Sequence, residues 1–343
     1  MSRWILLVAA AFATAPATVT AADTLLVGNK ADASVWALST ETGLRTGTFS
    51  TGDGPHEVVV SPDRSLAVVG DYGTDEPGRT LTVINWPERK VSRTVDLVEN
   101  TRPHGLRFIP DSHRVVVTTE GSQRVLVVDL GTGRIEHRID VGGTPHMVAL
   151  SPDGRRAYAT LLREGGVAVI DVEAGEVVGR VATGEGAEGV DVTPDGREVW
   201  VGNRAADTVS VIDAERLEVV ATLPSASFPI RVVLTPDGRH ALVTNARSAE
   251  LAVFDVARRE EVARIALAED GREYRETMLG RAALPIGAIV HPDGSRAFVA
   301  VSGGDEVAVI DTSDWSVAAR WATGAEPDAL ALIPAGGGES GEE

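Results

Sequence analysis

Short apolar stretches recur along this chain, and Gly, Pro, Asn and Asp interrupt them at regular distances. Residues 144–186 show the unit. Apolar positions at Val148, Ala149 and Leu150 predict a first strand. Ser-Pro-Asp-Gly at 151–154 has Pro in second place and Gly in fourth, the chemistry of a type I turn. A second strand is predicted over 156–160, a third over 167–171 and a fourth over 176–181. Four antiparallel strands in a period of about forty residues is the pattern of a propeller blade.

The unit repeats along the chain. A leading residue stands seven positions ahead of each Pro-Asp-type turn, at Pro55, Pro103, Pro145, Ala187, Pro229, Pro285 and Pro327, with spacings of 48, 42, 42, 42, 56 and 42. A second beat ends at Asp129, Asp171, Asp213, Asp255 and Asp311 after the third strand. An acid recurring in nearly every unit is expected to cap an Asx-type turn rather than to do chemistry. The stretches SPDGRRAYAT, WVGNRAADTVSVID and LVTNARSAELAVFD resemble the YVTN repeat. That resemblance spans residues 23–334 and implies a seven-bladed β-propeller, similar in fold to those of haem-d1 nitrite reductases, nitrous oxide reductase and some lactonases. It carries fold more than function.

The ends of the chain settle the number of blades. Residues 25–50 supply a second, third and fourth strand without a first, and residues 328–334 supply a first strand with nothing after it. Pairing the two closes the ring without a free edge. The expected fold is therefore an all-β propeller of seven four-stranded antiparallel blades, the first blade completed by the C-terminal strand.

Residues 1–22 read as a secretory leader: Arg3, an apolar run over 4–15, then small residues for cleavage. Residues 335–343 read as a disordered acidic tail. A periplasmic or secreted location follows. Net charge is −18 with no basic run, which disfavours nucleic acid and anionic membrane surfaces. Cysteine is absent, so disulfides, thiol catalysis and covalent c-type haem attachment are excluded. The segment at 184–189 matches G-x-G-x-x-G by letter but has no helix to follow it.

Strand alternation assigns the Pro-Asp turns to one face and the variable loops to the other. Two insertions fall on the variable face, around 71–79 and within 268–284, and the second is positioned to act as a lid. The residue after each leading position enters the central channel on the same face. Around the ring these are Asp328, His56, His104, His146, Glu188, Ile230 and Ile286. Three imidazoles with flanking carboxylates suit one divalent transition metal, with His56, His104, His146, Glu188 and Asp328 as donors, or acid–base work. His113, His137, His240 and His291 read as surface residues. The expected role is non-catalytic: a binding or scaffold propeller presenting its loop face and channel to a protein or small ligand, with no insertion into the membrane once the leader is cleaved. The alternatives are a metal- or haem-associated periplasmic redox component and a lactonase-like hydrolase.

Overall fold

The computed structural model describes residues 22–335. The leader and tail expectations fall almost wholly outside these residues. Seven four-stranded antiparallel sheets stand round one axis, each with its first strand innermost. Blades 2 to 6 occupy residues 55–96, 103–140, 145–182, 187–224 and 229–266, and blade 7 occupies 285–322. Blade 1 takes Thr24–Asn29, Ser34–Ser39 and Arg45–Ser50 from the start of the chain and Pro327–Ile333 from its end.

Closure follows the predicted pairing of the two ends. Thr24 pairs with Ile333 and Val27 with Leu330. The period of two in the closing strand then fills both neighbouring seams. Leu330 and Leu332 pack with Phe298, Ala300 and Val307 of blade 7, while Ala329, Ala331 and Ile333 pack with Val58, Ala67 and Val69 of blade 2. The remaining core lies likewise between blades, in layers such as Val125, Val127, Ala159 and Ile170. A Cβ on Gly287 would stand 1.8 Å from the Asp328 carbonyl oxygen, so only glycine lets the inner strands of blades 7 and 1 come this close.

The recurrent Asp after the third strand does what turn chemistry predicts. Asp171 accepts the Ala174 N–H at 2.8 Å, and Asp255 accepts that of Arg258 at 2.8 Å. One surface assignment is corrected. His291 is buried, with Nε2 2.6 Å from Asp23 Oδ2 and Nδ1 2.7 Å from Asp293 Oδ1. Its place at a Pro-Asp-type turn suggested exposure, but the incoming chain at Asp23 covers it. Among the described residues no helix is long and apolar enough to cross a membrane.

Candidate functional site

Every inner strand carries a register shift just after its leading residue, as between Pro55 and Val58 or Pro145 and Val148. The extra residue of a bulge re-aims side chains. In a regular strand neighbouring residues point to opposite faces, yet here His146 and Met147, and likewise Ile230 and Arg231, both line the channel mouth. Threonines of the second strands fix the bulged backbone across the seams. Thr160 donates to the Glu188 carbonyl at 2.8 Å and Thr244 to that of Ile286 at 2.8 Å.

The structure brings Asp328, His56, His104, His146 and Glu188 to one chamber of about 250 Å³. A second ring, absent from the sequence reading, meets them. It is made by the residues seventeen positions after each leading residue, among them Tyr72, Glu120, Leu162, Arg204 and Ser302, with Lys30 in the split blade. The same repeat arithmetic that located the histidines would have located these.

The two rings are joined by hydrogen bonds and ion pairs. Tyr72 donates its hydroxyl to Glu120 Oε2 at 2.5 Å, and Glu120 Oε1 meets His146 Nδ1. His146 Nε2 lies 3.0 Å from Glu188 Oε1. Arg204 Nη1 makes a 2.6 Å ionic contact with Glu188 Oε2, though the two are not aligned as a hydrogen bond. Lys30 Nζ is 3.1 Å from Asp328 Oδ2. The aromatic rings stack along the arc: Tyr72 on His56 at 4.3 Å, His56 against His104 at 4.9 Å, and His104 on His146 at 3.8 Å between centroids.

The three imidazoles consequently differ in charge. Burial lowers the His56 pKa, assisted by Lys30, to about 4. Burial together with the neighbouring His146 and His56 holds His104 well below the usual range. Burial acts the same way on His146, but Glu188 and Glu120 overcome it and push that residue up to about 9. His146 is the imidazolium of the arc at neutral pH. His104 is 7% exposed, and among the described residues its Nδ1 has no hydrogen-bond partner.

Burial would raise Asp328, but the surrounding basic groups, Lys30 foremost and Arg231 with it, together outweigh it and the carboxyl titrates below its ordinary range. Each proposed carboxylate donor thus has a cationic partner. Among the described residues no group of three or more His, Asp or Glu is arranged to hold a metal ion.

The insertion between blades 6 and 7 roofs the chamber. Its hairpin pairs Thr277 with Gly280, and Thr277, Met278 and Leu279 line the mouth. Leu279 packs on the apolar side of the ring, with Phe228, Ile230 and Ile286. Arg272 to Glu306 at 2.7 Å and Arg275 to Asp305 at 2.9 Å fasten the lid to blade 7. Below the arc, Arg231 from blade 6 pairs with Glu57 from blade 2, and its Nη1 lies 3.4 Å from Met147 Sδ. Arg231 borders both this chamber and the one at the other end of the channel, so the pair partitions the axis.

Residues 111–334 match the family model described as the cytochrome D1 heme domain. Among solved structures, a Kuenenia stuttgartiensis hydrazine synthase chain is similar at 21% identity and a TM-score of 0.72, over 83% of this chain and 97% of that one. A functionally unknown protein from Desulfotomaculum acetoxidans aligns with a TM-score of 0.76 at 15% identity, over 92% of this chain and all of that one. At such identities these two likenesses establish fold alone. No curated protein matches the chain in sequence.

Proposed function

This chain belongs to the cytochrome D1 heme domain family, and from that premise we propose that it is an exported binding propeller of a haem-associated periplasmic system, holding a small polar ligand in its lidded channel mouth. The YVTN-like phrasing of the blades supports a closer kinship with exported repeat propellers inside that wider family. The observation that carries the reading is His104. A buried nitrogen with no partner costs free energy on the order of 1–3 kcal/mol, and a ligand that hydrogen-bonds to it recovers that cost.

A haem macrocycle does not fit either end of the channel. The roofed chamber, about 250 Å³, is smaller than the roughly 300–1,000 Å³ of drug-sized sites, and both nitrogens of His146 are engaged by carboxylates. The opposite chamber is larger at about 540 Å³, but among the described residues no His, Met, Cys or Tyr lines it to act as an axial ligand. We infer that any association with haem is made through a partner rather than in this channel. At about 30 Å³ per water, the roofed chamber has room for about eight waters, which sets the scale of the ligand.

His104 Nδ1 also favours a second reading, a late first-row divalent ion at the arc with His56, His104, His146, Glu188 and Asp328 as its candidate donors. That reading requires His146 to exchange a carboxylate for the metal and Asp328 to leave Lys30.

Ligand-observed NMR tests the proposal, using a library of compact polar compounds against the wild type and His104→Phe. The variant keeps an aromatic ring in the stack and removes both nitrogens. Binding by compact polar compounds that disappears in the variant, at an unchanged thermal midpoint, is the expected result. Tight stoichiometric binding of hemin or of zinc, lost on the same substitution, would replace the proposal with a cofactor site.

A further inference from the structure

The opposite end of the channel holds a second chamber of about 540 Å³, walled by Val58, Val60, Phe108, Ile289 and Leu332. The Glu57–Arg231 pair belongs to its lining and is internally neutral. Three further charges line the same space, Arg107 and Asp191 in its wall and the exposed Asp111 at its rim. Arg107 is half-buried, donates to the adjoining Leu106 carbonyl at 2.9 Å and makes no ion pair among the described residues.

Asp191 accepts the Val192 N–H at 3.0 Å and the Leu234 N–H at 2.9 Å, which fix its orientation, and it also makes no ion pair among the described residues. A carboxylate has about four acceptor sites, so two remain open. Burial pushes the Asp191 carboxyl up, and Arg107 offsets this only in part. Opposite charges that line one apolar chamber without pairing are costly to each alone. A lone anion seated there would gain Arg107 but meet Asp191, and a lone cation would gain Asp191 but meet Arg107.

From this juxtaposition we infer that the chamber is a second ligand site, built for a small zwitterion with an apolar body. The ligand's carboxylate lies on Arg107, its ammonium on Asp191, and its apolar part against Phe108, Val60 and Ile289. An α-amino acid with a large apolar side chain is the simplest compound of that class. Its binding adds no net charge to a lining that already carries both signs, Arg107 and Arg231 against Glu57, Asp191 and the rim residue Asp111. The site is separated from the roofed chamber by Arg231 and does not depend on the function proposed there.

Isothermal titration with L-phenylalanine, phenethylamine and 3-phenylpropanoate tests the inference, on the wild type, Arg107→Gln and Asp191→Asn. The wild type is expected to take one phenylalanine per chain, with each single-charge analogue at least about tenfold weaker. Arg107→Gln should weaken phenylalanine and strengthen phenethylamine, which no longer meets a like charge, so that the amino acid loses its advantage over the amine. Asp191→Asn, which keeps one of the two oxygens that accept backbone N–H bonds, should weaken phenylalanine and strengthen 3-phenylpropanoate, so that the amino acid loses its advantage over the acid. Phenylalanine binding no tighter than the analogues, undiminished binding in both folded variants, or no binding at millimolar concentration would overturn the inference.

Discussion

His146 Nε2 and Glu188 Oε1 stand 3.0 Å apart across the seam between the fourth and fifth blades. With Glu120 on the other ring nitrogen, His146 is an imidazolium set between two carboxylates, and Arg204 balances the second of them. His104 stacks on that cation and stays neutral, as does His56 beyond it.

Opposite shifts on two imidazoles of the arc predict a stability optimum in pH. His146 rises from 6.5 unfolded to about 9 folded. Its contribution is complete below 6.5 and is lost as pH climbs through 9. His56 falls from 6.5 to about 4, so the native state binds fewer protons than the unfolded chain between those values, and stability falls as pH drops through that window. The groups facing this pair are Lys30, Tyr72, His104, Glu120, Glu188, Arg204, Arg231 and Asp328. Urea denaturation should give maximal stability near pH 6.5. His146→Gln should flatten the alkaline limb, worth on the order of 3 kcal/mol at about 1.4 kcal/mol per pH unit. An alkaline limb unchanged in that variant would contradict the assignment.

Closure of the ring predicts a sharp difference between two truncations. Stopping after Glu326 removes Pro327–Ile333, whose Leu330, Leu332 and Ile333 are buried in two seams. At roughly 1.5–3 kcal/mol per buried side chain, this loss is comparable to the whole stability of a typical domain. Aggregated or unfolded protein is expected, read by circular dichroism and light scattering. Stopping after Ala335 should shift the thermal midpoint by no more than a degree or two. Equal behaviour of the two proteins would contradict the shared first blade.

The channel partition predicts strong coupling between Glu57 and Arg231. Removing one member of a buried pair leaves an uncompensated charge and costs about 3–5 kcal/mol. Glu57→Gln and Arg231→Met should each lose that order of stability by urea denaturation, and the double variant should recover a large part of it. Additive losses would mean the pair does not act as a unit.

The fold was legible because the repeat states it seven times. Leading prolines, Pro-Asp turns and the split first blade each leave a mark at a fixed interval, and Leu330 and Ala331 fall into opposite seams by period two alone. The inner arc was legible for the same reason, and so was the insertion that became the lid. What the sequence hid was pairing. Glu120 belongs to blade 3 and His146 to blade 4, and Glu57 and Arg231 lie 174 residues apart. Repeat arithmetic sets the height of a side chain on the axis but not the partner it meets across a seam. That is why His56, His104 and His146 looked like equivalent donors, whereas ion pairing makes one of them a cation and burial keeps the other two neutral.

The central claim rests on the open nitrogen of His104, and the ¹⁵N shifts of its ring in histidine-labelled protein test it most directly. At pH 7 a neutral His104 and a doubly protonated His146 are predicted, with the Nδ1 resonance of His104 moving when a compact polar ligand saturates the chamber. A His104 already protonated at that pH, or one whose resonances stay fixed while such a ligand binds, would contradict the account.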